Sequence, residues 1–432
     1  MTVRCRDCGA GSTVPDAVPE YGAGVRCQGA VPECGAGVRY QGAVPECTHF
    51  DGDGAGLASV RVRIVDTMSP TALRRQIGQL LIAGFNGHQI PPELRSLAKE
   101  FGLGGVILFA RNVGEPEQVA ELAFEAARLV PDLPVWVSVD QEGGRVARLK
   151  APFTEWPAMA TLGRSGDVRL AERFARALAA ELKSVGITLD YAPVLDIHTN
   201  SKNPVIGDRA LAEKAEEVAR LGTAIVRAIQ AEGVAACGKH FPGHGDTSTD
   251  SHVELPLVEH PPDRLRRVEF LPFKAAIDAG VATIMTAHVL VPSLDERRPA
   301  SLSRRIVYDL LREELHYDGV ILSDDLEMKA IAAEYQVPAA AVLAIHAGCD
   351  GALICSGDHA TQHAALEALV HAVEDERLPI GRVEDALKRH RRAKERFLAQ
   401  PVSARPPDGR ALRAALGRDE HRAIAEEMAR FL

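Results

Sequence analysis

From Ser69 onward the chain repeats one unit, a short apolar run followed by an amphipathic stretch of helical length, and this alternation constrains the fold more than any other feature. The runs are Leu80–Phe85, Gly105–Phe109, Val135–Asp140, Thr188–Leu195, Val234–His240, Thr283–His288, Val320–Asp324 and Gly351–Cys355. Strands covered on both faces read as unbroken apolar runs, and strand–helix alternation implies a parallel sheet wrapped by helices. Eight such units over about 290 residues predict an α/β protein, a (β/α)8 TIM-type barrel forming a single catalytic domain. Helices are expected at Pro116–Leu129, Asp167–Val185, Lys214–Glu232, Asp263–Ala279, Arg304–Glu314 and Val337–Ala347. Gly186, Gly233, Gly280 and Gly348 stand just past four of them, where a helix commonly ends. Ser69-Pro70 reads as N-cap and first turn of the first helix.

Domain limits follow from where this pattern holds: 1–67 before it, 68–400 within it and 401–432 as a helical tail. Residues 1–67 carry five of the eight cysteines and a thirteen-residue repeat, Ala17-Val-Pro-Glu recurring at Ala30 and again at Ala43. No sustained period of 2 or 3.6 runs through them, so they offer no face to bury, and a disordered or untranslated segment with Met68 as the start is expected. Cys5-x-x-Cys8 invites a zinc reading but lacks the second close pair that a zinc ribbon needs.

Composition removes several classes. With 46% hydrophobic and 25% charged residues the chain is an ordinary globular one, and its net charge of −9 argues against nucleic acid or an anionic membrane as partner. No apolar run approaches the ~18 residues of a membrane span, and no apolar stretch backs the charged start as a signal peptide would require. A cytoplasmic monomer is expected. No glycine-rich loop of dinucleotide or Walker type follows a strand, so no organic cofactor is expected.

In such a barrel, function gathers where strands end. Four runs are apolar until their last residues and then become polar: Val139-Asp140-Gln-Glu-Gly-Gly-Arg145, Gly238-Lys239-His240, Met285-Thr-Ala-His288 and Leu322-Ser323-Asp324-Asp325. Asp324, rising from a rigid strand, is the best nucleophile candidate, since a carboxylate there can attack an anomeric carbon. Asp325 is expected to turn away from Asp324 by strand alternation. The segment from Lys239 to His252 holds three histidines and two aspartates and admits two chemistries. One is a divalent metal site, disfavoured by Lys239 beside His240. The other is acid–base work on a glycine-rich loop, with Asp250 placed beside His252 to fix its tautomer. Asp140, Arg148, Arg209, Lys239 and His240 form a polar set suited to hydroxyl groups, each open also to a structural ion-pair role.

Taken together, Asp140-Gln-Glu-Gly-Gly-Arg-Val146, Asn203-Pro-Val-Ile-Gly-Asp-Arg209, Lys239-His-Phe-Pro-Gly-His-Gly-Asp-Thr247 with Asp250-Ser-His252, and Ser323-Asp-Asp-Leu-Glu-Met328 resemble glycoside hydrolase family 3 in its single-domain, NagZ-type β-N-acetylglucosaminidase branch. The resemblance runs from about residue 72 to residue 397. It implies a metal-free retaining glycosidase with Asp324 as nucleophile, His252 assisted by Asp250 as acid/base, and Asp140, Arg148, Arg209, Lys239 and His240 binding the sugar. The implied substrate is a cell-wall fragment from which GlcNAc is removed during peptidoglycan recycling. A phosphorylase using phosphate instead of water, a metal-dependent barrel hydrolase and a catalytically inactive sugar-binding barrel are the alternatives.

Overall fold

The computed structural model describes residues 69–131, 134–251, 254–399 and 408–432, and the backbone pairing of Thr2–Arg4 with Gly11–Thr13. That antiparallel pair belongs to a unit of its own, Met1–Met68, apart from the unit Ser69–Leu432. The expectations for the cysteine-rich repeat, and the one for His252, lie outside the described residues.

Eight parallel strands close into a barrel: β1 (Leu81–Ala83), β2 (Gly105–Leu108), β3 (Trp136–Val139), β4 (Leu189–Asp190), β5 (Ala235–Phe241), β6 (Thr283–Thr286), β7 (Val320–Asp325) and β8 (Gly351–Ile354). They pair in chain order, and β8 returns to β1 with Ala352 opposite Leu81. Each falls within or at the edge of one of the eight apolar runs. Inside, Ile82, Ile107, Trp136, Leu189, Ala235, Cys237, Val320, Leu322 and Leu353 pack into one core. Burial of each large member stabilises by about 1.5–3 kcal/mol. The inward-facing rows Ala235–Cys237 and Val320–Leu322 continue, by the two-residue period of a strand, to Lys239 and Asp324. The barrel interior therefore passes from apolar to ionised along its own axis.

The helices coat the outside. Pro116–Ala126, Val168–Ser184, Ala215–Ala231, Arg305–Glu314 and Val337–Ala347 lie where the sequence places them. Gly186, Gly233, Gly280 and Gly348 take φ values of 81°, 90°, 74° and 125°, the left-handed turn that ends such helices. Ser69 Oγ caps its helix by accepting from Ala72 N at 3.2 Å. The single helix expected over Asp263–Ala279 is instead two, Pro262–Arg267 and Leu271–Asp278. Pro272 is the cause: it has no amide proton for Val268 O, and its ring would meet that carbonyl in a continuous helix.

Helices Gly409–Ala415 and Asp419–Ala429 pack against the outer helices. Their hold is chemical as well as apolar. Buried Glu181 accepts from Thr154 N (2.8 Å), Thr154 Oγ1 (2.6 Å), Gly417 N (2.9 Å) and His421 Nδ1 (2.7 Å). Thr154 lies on the loop after β3, so one carboxylate joins the tail to that loop.

Candidate active site

Where the strands end, a cavity of about 480 Å3 opens. Six of the residues singled out from the sequence line it: Asp140, Arg148, Arg209, Lys239, His240 and Asp324. Asp250 stands on the loop beside Ser251, which reaches the cavity wall.

Two strand irregularities place the chemistry. On β5, Lys239 pairs with Met285 but Phe241 with Thr286, so one extra residue is accommodated. Consecutive residues on a regular strand face opposite ways; this bulge lets both Lys239 and His240 reach the cavity. On β7, Leu322 pairs with Gly351 but Asp325 with Leu353, a second bulge. It corrects the alternation argument for Asp325, which lines the same cavity as Asp324.

The centre of the site is an ion network that the sequence shows only in part. Glu142, unforeseen as a site residue, takes a bidentate hydrogen bond from Arg209, with Nε and Nη2 each at 2.8 Å, and an ion pair from Lys239 Nζ at 2.6 Å. Lys239 Nζ also donates to Asp140 Oδ1 at 2.8 Å, and Arg148 Nη2 to Asp140 Oδ2 at 3.5 Å. Lys239 is 2% exposed, Glu142 1% and Arg209 10%. Burial opposes ionisation of Glu142, but the Arg209 and Lys239 charges overcome it and hold the carboxyl well below its ordinary range. The same pairing holds Lys239 and Arg209 above theirs, against their own burial. Three cations around two carboxylates leave one positive charge at the cavity wall, with donors already aimed.

A second network fixes the loop after β5. Buried Asp196 accepts from His240 Nδ1 (2.7 Å), His240 N (3.2 Å) and His244 N (2.7 Å). Asn203 donates Nδ2 to His244 O (2.8 Å), Gly245 O (3.1 Å) and Thr247 Oγ1 (3.2 Å), while its Oδ1 accepts from Val205 N and Ile206 N. His244 is buried between Thr247 Oγ1 (2.8 Å) and Ser251 Oγ (3.2 Å), and that burial lowers it to about 4, so it is neutral. Ser251 O in turn accepts from Ala330 N at 3.1 Å. The segment leading to Asp250 is thus moored to the loops after β4 and β7. Engaged in this way, His240 and His244 hold the loop in place as framework.

Asp324 sits half-buried at the end of β7. Burial works against its charge, but His288 and His240 outweigh it, and Asp325 N donates to Oδ1 at 2.8 Å; the carboxyl is held below its ordinary value. It is an ionised carboxylate facing a polar cavity. Asp325 is the opposite case. Burial raises it to about 7, although Glu327 N and Cys355 N each donate to Oδ1 at 3.2 Å. Buried Asp190, at the end of β4, is pushed well above its ordinary range by burial; Gln141 N donates to its Oδ1 at 3.0 Å. The two adjacent carboxyl groups, Asp324 and Asp325, thus sit in opposed environments, one favouring the charged form and the other the neutral form. At the rim, Phe109 lies between Arg111 and Arg148, whose Cζ atoms are 4.5 and 5.6 Å from its ring centre.

This geometry has known counterparts. The profile of the family described as Glycosyl hydrolase family 3 N terminal domain matches residues 72–393. A beta-hexosaminidase from Pseudomonas aeruginosa is 39% identical over 290 residues, covering 67% of this chain and 86% of that protein. The structure of a glycoside hydrolase family 3 beta-N-acetylglucosaminidase from Paenibacillus sp. str. FPU-7 superposes with a TM-score of 0.80 at 43% identity, over 83% of this chain and 68% of that one. NagZ from Neisseria gonorrhoeae, solved with N-trifluoroacetyl-D-glucosamine, gives a TM-score of 0.65 at 31% identity over 82% of this chain and 97% of its own. With the matched residues spanning the whole barrel, the chain belongs to glycosyl hydrolase family 3, in the branch of the NagZ-type β-N-acetylhexosaminidases.

Proposed function

We propose that the protein is a retaining exo-glycosidase that removes terminal β-linked GlcNAc from peptidoglycan fragments, muropeptides and anhydromuropeptides, in cytoplasmic cell-wall recycling. The observation that carries the reading is Asp324: an ionised carboxylate at a strand end, facing a cavity walled by fixed cationic and acidic hydroxyl-binding groups. The named activities of the relatives supply the sugar.

In this reading the sugar ring lies against Asp140, Arg148, Arg209, Lys239 and His240. Their ion pairs with one another and with Glu142 and Asp196 hold the donors in place before substrate arrives, so little reorganisation is needed at the transition state. Asp324 attacks the anomeric carbon and forms a glycosyl ester as the leaving oxygen takes a proton. We assign that proton to His252, oriented by Asp250, on the strength of their place directly after the moored loop. Deprotonated by the first step, His252 then removes a proton from water, which cleaves the ester and restores Asp324. An imidazole suits this role beside a carboxylate-bearing substrate because its neutral form adds no like charge.

The test is release of nitrophenol from nitrophenyl β-N-acetylglucosaminide in EDTA, with Asp324→Asn as the paired variant. Wild-type activity is expected to persist in EDTA, and the variant to lose at least about 10³-fold in kcat. Equal activity of the two proteins overturns the nucleophile assignment. A product appearing as sugar phosphate when phosphate is supplied would replace water as the acceptor. Disaccharide-peptide fragments from purified peptidoglycan test the natural substrate in the same assay.

A further inference from the structure

A second cavity, of about 430 Å3, opens at the other end of the barrel, where β6 and β7 begin; Val281 and Ala282 precede β6 and Gly319 precedes β7. One face of helix Ile380–Phe397 turns Arg389, Arg392 and Arg396 toward it, and His316 stands on the opposite wall. Behind them, fully buried Asp350 is shared by three guanidinium groups: Arg312 (2.7 Å), Arg382 and, at 3.5 Å, Arg389. Asp318 pairs with Arg389 at 3.2 Å and with Arg392 at 2.7 Å. Arg396 packs over Phe397 and donates to Gly280 O at 3.3 Å.

Four guanidinium groups thus meet two carboxylates, and a fifth, Arg396, bonds a carbonyl instead, an excess of three positive charges in a chain whose net charge is −9. The excess is not merely a solvated surface. Arg312 is 6% exposed, Arg382 9% and Arg389 15%. Of the arginines that line the cavity, Arg389 has a buried Nη1 that makes no hydrogen bond and has only the 3.5 Å ion pair with Asp350. A buried cation with an unmet donor is costly, and a doubly charged oxyanion in the cavity offsets the cationic excess of its wall. Guanidinium forks match the oxygen geometry of phosphate in particular.

We propose that this basal cavity is a binding site for a phosphate group, separate from the catalytic cavity at the opposite ends of the strands. Arg392 and Arg396 grip the anion from the solvent side and Arg389 meets it from within. The phosphate can be inorganic or carried on a small metabolite, and the cavity has room for either.

The test is the melting temperature at constant ionic strength, with saturating GlcNAc to occupy the catalytic cavity. Sodium chloride is replaced by about 10 mM inorganic phosphate in one arm and by glucose 6-phosphate in another. A rise of roughly 2 °C over chloride is expected in at least one arm, and the arm that responds identifies the source. In the Arg392→Ala/Arg396→Ala protein, altered at two exposed positions, the rise should vanish while hydrolysis of the nitrophenyl glycoside is unchanged. No rise in either arm overturns the proposal. So does a rise that survives the double substitution, which places the anion elsewhere.

Discussion

Removing the charge of Glu142 while keeping its shape tests the ion network most directly. In Glu142→Gln, Arg209 loses a bidentate carboxylate and Lys239 loses its closest partner, at 2.6 Å, while both cations stay almost fully buried. Asp140 remains for Lys239, whereas Arg209 loses its hydrogen-bonded carboxylate and keeps only the more distant charges of Asp196 and Asp140. Leaving a buried charge uncompensated costs about 3–5 kcal/mol. With an unfolding entropy of roughly 2.1 cal/mol/K per residue over about 360 residues, that corresponds to a melting temperature lower by about 4–7 °C at pH 7. The pH dependence follows from the direction of the Glu142 shift. Its folded-state value lies below its ordinary 4.5, so the stability it contributes is complete above 4.5 and drains away as the pH falls toward the folded value. The variant should therefore lose stability at neutral pH yet converge on the wild type in acid. Calorimetry between pH 3 and 7 reads both features. A variant melting within 1 °C of the wild type at pH 7, or a gap that widens in acid, would refute the network as described. A cycle with Arg209→Met sharpens the result, because a coupling under about 0.5 kcal/mol would mean that the two side chains act independently.

Asp325 gives the reverse pH signature. Its folded-state value is raised to about 7 from 3.8, so stability declines as pH rises from 3.8 to 7; Asp325→Asn should flatten that part of the profile. Asn203→Ala removes three hydrogen bonds donated to the loop after β5 and two accepted within its own loop after β4. A loss of about 2–4 kcal/mol in chemical denaturation and a raised KM are expected, and an unchanged KM would show that the loop holds its place without Asn203.

The barrel was legible because its strands are buried on both faces and so declare themselves as apolar runs, and because inward rows such as Val320–Leu322–Asp324 change character only at their ends. What escaped was non-local. Glu142 stands two residues from Asp140 in a conspicuous motif, yet its meaning depends on Arg209, 67 residues away. Asp196 and Asn203 act largely through backbone amides and carbonyls, which leave no pattern in side-chain chemistry. Asp325 was misplaced because alternation presumes a regular strand, and β7 bulges at that point. The break at Pro272 was readable in principle: the proline stands in the middle of the expected helix.

Glu181 bears on more than the packing of the tail. The Asp419–Ala429 helix and the loop carrying Arg148 share donors to one buried carboxylate, so neither can leave without stranding a charge that the other also satisfies. The two segments should open together as a single cooperative unit, and amide protons in both should exchange with one common protection. A cut near residue 408 would then be felt at the catalytic cavity, as a looser grip by Arg148 on Asp140 and on whatever sugar lies between them.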